Sequence, residues 1–144
     1  MYIVFLALTL SFFSCAAPPS PLQQTFNEGL AIMNRVNFES PPDAKVQTAK
    51  DLLAHTEQYD GLMKTSSSPD SRIEAQGFLR SERATAAILM REAALNYEKQ
   101  NKVERARELY RAVLTTFTRE DEAAIRQSAE SELKQLGETE QKQR

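Results

Sequence analysis

The chain has 144 residues, with 18 Lys+Arg against 20 Asp+Glu and a formal net charge of −2. The two signs are interleaved, which leaves neither a basic stripe for nucleic acid nor an acidic tail for a basic partner. A single histidine, a single cysteine and four separated glycines leave no paired imidazoles for zinc, no cysteine or serine triad and no glycine-rich phosphate loop.

The N-terminus carries an uncharged run from Tyr2 to Ser14, apolar over Ile3 to Leu10, followed by Cys15 and the breaker-rich Ala16-Ala17-Pro18-Pro19-Ser20-Pro21. A short apolar stretch followed by small residues reads as an exported, processed terminus, and it is shorter than the ~20 residues a spanning helix needs. The Ser14-Cys15 junction resembles the bacterial lipoprotein signal. That resemblance implies removal of residues 1–14, a lipid on Cys15 and a tether over 15–21. The run lacks the Lys or Arg that usually precedes it, and Phe12 and Phe13 stand where the family has small aliphatic residues. Cleavage after Ala16, giving a soluble secreted or periplasmic protein, and an uncleaved anchor stay open. Ala16 after the cysteine implies, by resemblance to enteric lipoproteins, an outer-membrane location facing the periplasm. An acylated Cys15 leaves no thiol for a disulfide, so the apolar core alone must hold the fold.

The remaining ~130 residues are one domain by length. Ala, Glu, Gln, Lys, Arg and Leu dominate them, a mixture that favours helices over strands and predicts an all-α fold. In chain order, a helix is expected over Leu22 to Val36. A second runs over Pro41 to Tyr59, capped by Ser40 and stopped at Gly61 in a left-handed conformation. Phe26, Leu30 and Met33 of the first face Ala49, Leu52, Leu53 and Thr56 of the second. Ser66-Ser67-Ser68 forms a loop, and Ser68-Pro69-Asp70 opens a helical stretch over Pro69 to Gln100 that Gly77 or Ser81 could divide. Asn101 breaks the chain, because asparagine tolerates the left-handed region. A fourth helix runs over Lys102 to Phe117. Thr118 starts a fifth, over Arg119 to Leu136, with Glu120, Asp121 and Glu122 at the positive end of its dipole and Gly137 closing it. The domain is thus 22–136, with 137–144 a flexible polar tail.

Met90, Ala93, Ala94 and Tyr97 share one helical face, as do Val103, Ala106, Tyr110, Val113, Leu114 and Phe117 on the next helix. Small residues beside large ones suit a tight helical hairpin. The pair resembles a tetratricopeptide repeat, a ~34-residue unit of two antiparallel helices. Met90 stands at the first large apolar position, Ala94 at the small residue, Tyr97 at the aromatic, Ala106 at the second helix's small residue, Tyr110 at its aromatic and Val113 at the next apolar position. Thr118 replaces the usual proline. The resemblance implies a right-handed array of about five to six helices with a concave binding surface. The segment with Ala124, Ile125, Ala129, Leu133 and Leu136 would start another unit or cap the array. A plain antiparallel hairpin in a small bundle stays open.

His55, near Asp51 and Tyr59, is expected to be partly exposed and hydrogen-bonded rather than catalytic. No cofactor, metal site or small-molecule substrate is expected, and the chain reads as non-enzymatic. The expected role is a membrane-tethered adaptor or scaffold binding a protein partner in the bacterial cell envelope. Ile88, Arg91, Leu95 and Glu98 form its candidate contact stripe, and the alternative is a structural bundle acting as spacer or complex subunit. Arg91 could bury its stem there and offer a fork of donors to a partner's carboxylate or carbonyl.

Overall fold

A computed structural model describes residues 18–143, with side chains for 18–137. Five helices follow one another: α1 (Pro21–Met33), α2 (Pro42–Thr65), α3 (Pro69–Lys99), α4 (Val103–Thr116) and α5 (Ala123–Gln143), the last entered through a 3₁₀ turn at Glu120–Glu122. The fold is all-α, with no strand among the described residues. Cysteine 15 and the leader lie outside the described residues.

Each helix packs on the one before it, and α1 also touches α3. Cross-helix pairs fix the directions: Lys45 with Glu92 and His55 with Glu82 make α2 and α3 antiparallel, whereas Arg80 with Asp121 and Arg91 with Glu132 make α3 and α5 parallel.

Helix α3 is the spine. Its buried face carries Ala75, Leu79, Ala86, Ala87, Met90, Ala93, Ala94 and Tyr97. The alanines let α2 and α4 approach closely, and the larger residues fill the space on either side. One core cluster joins Ala49 and Leu52 of α2, this stretch of α3, Ala106, Tyr110 and Val113 of α4, Phe117 beyond it, and Ala129 of α5. A second, smaller cluster joins Tyr59, Ala75 and Leu79 with Leu22, Leu62, Met63 and Phe78.

Asn101 turns the chain as expected, at φ 59°. The N–H of Lys102 donates to Tyr97 O and that of Asn101 to Glu98 O, both at 2.8 Å, the paired bonds of a Schellman end. Gly61, by contrast, does not stop α2, which continues to Thr65 because Leu62 and Met63 still have the second cluster to pack against. A mid-helix glycine costs about 0.5–1 kcal/mol, less than the burial gained by the extra turn. Gly77 and Ser81 leave α3 undivided, and α5 runs on through Gly137.

Ser40 does not cap α2. Its hydroxyl is occupied by the Asn37 N–H at 2.9 Å and Asn37 Oδ1 at 3.1 Å, and α2 begins at Pro42 with no side-chain cap. Ser20 and Ser68 do cap, accepting from Gln23 and Ser71 N–H groups. At the last helix start, Glu122 rather than Thr118 is the capping side chain: its carboxylate accepts the Arg119 N–H at 3.0 Å. Phe26 stacks on Phe78 of α3, with ring centroids 4.3 Å apart, instead of facing α2, and Leu30 is exposed.

Candidate interaction slot and buried polar centre

Between the parallel helices α3 and α5, over α4, lies an apolar slot of about 260 Å³. Tyr110 and Val113 form its floor, Ala87, Ile88 and Arg91 one wall, and Ala124, Ile125, Ser128 and Ala129 the other. The opening exists because both walls carry small residues where larger ones would close the gap.

Ion pairs from α3 to the 3₁₀ turn and to α5 bound the slot along its length. Arg80 Nε meets Asp121 at 2.9 Å, and Arg83 Nη2 reaches Glu122 Oε2 at 3.1 Å and Thr116 O at 3.0 Å. At the far end Arg91 Nη2 meets Glu132 Oε1 at 3.0 Å. Burial pushes the Glu122 carboxyl up, but the Arg83 and Arg119 hydrogen bonds and charges outweigh it, so its pKa lies below the ordinary carboxylate value.

The four stripe residues share one side of α3 but do not form one surface. Ile88, 58% exposed, and Arg91 line the slot. Leu95 instead lines a separate hollow with Phe38, Lys45, Glu92, Asn96 and Lys99. Glu98 accepts the Tyr110 hydroxyl at 2.7 Å, so its carboxylate is committed to holding the slot floor. Burial, then that bond to Glu98, raises the Tyr110 pKa and keeps the phenol neutral.

A second feature was not foreseen from the sequence: a polar centre sealed between α1, α2 and α3. Glu82 is buried, and each of its oxygens has one partner, His55 Nδ1 at 2.8 Å and the Tyr59 hydroxyl at 2.7 Å. His55 is therefore buried rather than partly exposed, and it pairs with an acid on α3, not with Asp51, which bonds Arg35 and Gln47. Burial, then the Glu82 bond, raises the Tyr59 pKa. His55 Nε2 is buried without a hydrogen-bond partner, its nearest acid being Glu28 Oε2 of α1 at 3.8 Å. Gly29 gives α1 its close approach: a Cβ there would lie 1.9 Å from Glu82 Oε1.

Lys45 is a further buried charge. Its ammonium donates to Glu92 Oε2 at 2.7 Å and Phe38 O at 2.9 Å, pinning the α1–α2 connection onto α3. The Tyr97 hydroxyl reaches Asp43 nearby.

The signal for these buried charges was register. Glu82 continues the Ala75-Leu79 face toward Ala86, and Lys45 precedes Thr48, Leu52 and His55 at helical spacing. A charge in register with an apolar stripe must be paired inside.

Chemically, the polar centre can hold a proton between an imidazole and a carboxylate. Both are buried, which suits a packing role rather than contact with a substrate. Among the described residues no group of three or more His, Cys, Asp or Glu side chains is placed to hold a metal. No helix among them is long and apolar enough to cross a membrane. No protein-family model, curated protein or solved structure matches the chain.

Proposed function

We propose that this protein is a lipid-anchored, non-enzymatic adaptor of the bacterial cell envelope that binds a protein partner through the slot between α3 and α5. The observation that carries the reading is the slot itself: an apolar opening floored by Tyr110 and Val113 with exposed Ile88 on its rim. Its dimensions suit one large apolar anchor from a partner segment, the kind of contact that dominates small interfaces. The first and last helices both turn polar residues outward, Gln23, Gln24 and Asn27 on α1 and Gln127, Glu130 and Ser131 on α5. The tetratricopeptide-like register fits this arrangement, α3 and α5 taking the place of first helices and α4 that of the second helix between them. A lipid on Cys15 would place the slot at a membrane surface facing the periplasm.

The alternative, a spacer or complex subunit with no groove, has one observation in its favour. The Arg80, Arg83 and Arg91 pairs brace α3 against α5 and the 3₁₀ turn that enters it, and restrict how far the slot can widen.

A photo-reactive residue at Ile88 separates the two. An adaptor should give a discrete crosslinked partner from position 88 and none from Ile73, which is 69% exposed on the same helix. Ala124→Trp, which fills the slot from its exposed rim, should abolish that product. Equal labelling from both positions would favour the spacer. Metabolic labelling with a fatty-acid analogue tests the anchor: Cys15→Ser should lose both the label and membrane attachment while the domain stays helical.

A further inference from the structure

We propose that the segment taken by the slot carries an acidic side chain one helical turn from its apolar anchor, and that this acid pairs with Arg119. The inference rests on the reading of the slot as a docking site and adds the charge pattern and direction of what docks there.

The slot does not end at Ile125. That residue also lines a second hollow of about 250 Å³, together with Arg83, Ala84 and Arg119, so the two openings form one seam from the 3₁₀ turn to Tyr110. On α3 the walls of the two openings are Ala84 and Ile88, one turn apart, which is about 6 Å along the helix. A helical segment with its anchor in the slot therefore brings the residue three or four positions away over the second hollow.

Cations exceed acids at that end. Arg80 is paired with Asp121, Arg83 with Glu122, and Arg126 donates to the carbonyls of Phe117 and Arg119. The half-buried Arg119 guanidinium has no ion pair among the described residues. Glu122 stands between the charges of Arg83 and Arg119, but its hydrogen bonds go to the Arg83 side chain and the Arg119 backbone N–H. Exposed Glu120 shares a neighbouring hollow with Arg119 and makes no ion pair. Arg80, Arg83, Arg119 and Arg126 against Glu120, Asp121 and Glu122 leave one positive charge.

The other end has the opposite sign. The charges around Tyr110 are Glu98, Glu132 and Arg91, and Arg91 is already paired with Glu132. Ten residues of helix from Glu122 to Glu132 put the two ends ~15 Å apart, beyond the ~8 Å over which exposed charges act in physiological salt. Each end is thus read separately, and an acid on the docked segment finds a free partner only at the 3₁₀ turn.

Covering the seam makes the choice sharper. A segment seated on the slot also covers the hollow and strips water from Arg119, a group that keeps its charge and offers five donors. A carboxylate there restores its hydrogen bonds, an amide restores them in part, and a lysine adds a second cation. The seam therefore selects through what it leaves unpaired as well as through what it attracts.

The test uses labelled alanine-rich helical peptides of about 20 residues with the full chain. Each has one phenylalanine, with glutamate, glutamine or lysine four residues before it or four after it. Kd is read by fluorescence anisotropy in low salt, and seating in the slot by ¹⁵N shifts of Ala124, Ile125 and Ser128. In one of the two placements glutamate should bind about 3-fold or more tighter than glutamine, within the range of exposed ion pairs, and lysine more weakly than either. Arg119→Gln should abolish the difference while the slot shifts and the unfolding midpoint persist. Arg111→Gln, on the exposed side of α4, should preserve it. Equal binding of glutamate and glutamine peptides that still shift the slot would overturn the charge pattern and leave the docking reading standing. A glutamate preference that survives Arg119→Gln, or a preference for lysine, would overturn it likewise. Absence of slot shifts with every peptide would remove the docking reading and this inference with it.

Discussion

Gly29→Ala tests the seat of α1 most directly. In an ordinary helix this change gains about 0.5–1 kcal/mol, because alanine loses less backbone freedom than glycine. At position 29 the new methyl would lie 1.9 Å from Glu82 Oε1, 2.7 Å from its Cδ and 3.3 Å from His55 Cε1. The carboxylate cannot swing aside freely, since both oxygens are held by hydrogen bonds and the side chain is buried. Either Glu82 gives up a bond to a charged acceptor, worth about 1.5–3 kcal/mol, or α1 backs away and opens the second cluster, an overpacking cost of about 1–3 kcal/mol. After the helix gain, a net loss of up to about 2.5 kcal/mol is expected, read as the midpoint shift in urea unfolding followed by circular dichroism. Gly61→Ala and Gly77→Ala are the controls: a Cβ at either meets nothing within 4 Å, so each should stabilise by about 0.5–1 kcal/mol. Pairing Gly29→Ala with Glu82→Ala should cost less than the two changes summed, because the second removes the clash. A Gly29→Ala variant as stable as Gly61→Ala would refute the close approach of α1 to Glu82.

In the α3–α4 hairpin, Ala106→Leu should cost about 1–3 kcal/mol and Tyr110→Ala about 3–5, since both positions are fully buried, while exposed Glu108→Ala should be nearly neutral in the same urea melts. The depressed Glu122 pKa means that its stabilisation is present above the ordinary carboxylate value near 4.3 and is lost as pH falls below it, so Glu122→Gln should flatten the acid limb of stability against pH. The raised Tyr59 and Tyr110 values act at the other extreme. Their contribution is complete below about pH 10 and falls as pH rises above it, and Tyr59→Phe should reduce the alkaline slope. Arg91→Ala removes an exposed pair with Glu132 worth about 0–1 kcal/mol, so melting should hardly move while crosslinking from position 88 weakens; Glu104→Ala on the outer surface should change neither.

The C-terminal half was legible from sequence because its signals are local. Alanine and tyrosine spacing placed Ala94, Tyr97, Ala106, Tyr110 and Val113 on one interface, and all are buried there. Asn101 carried its own turn chemistry. Glycine misled at Gly61 and Gly137, because a propensity of about 1 kcal/mol yields wherever neighbouring residues still find a surface to pack on. The polar centre escaped because its members, Gly29, His55, Tyr59 and Glu82, come from three helices and meet only in the folded chain. Within the stripe, periodicity placed Ile88, Arg91, Leu95 and Glu98 on one side of α3. What each touches depends on where α4, α5 and the α1–α2 connection lie, which no single-helix pattern encodes.

The slot and the hairpin core share a cause, and that decides which substitutions can tell them apart. The small residues of α3 draw α2 and α4 close, and with nothing larger at Ala87, Ala124 and Ala129 the α3–α5 seam stays open over Tyr110. Filling the seam from Ala87 or Ala129 would strain the core, since both are buried and belong to the main cluster. Loss of binding there could not be separated from loss of packing. Ala124 is different: it lines the slot yet is exposed, so a large ring placed there occupies the opening while leaving the helix contacts beneath it alone. Ile88 has the same standing on the opposite wall. A partner that reads this surface must therefore respond to positions 88 and 124 while the unfolding midpoint stays fixed, whereas a brace between α3 and α5 would respond to the Arg83–Glu122 pair and show its effect in the midpoint itself.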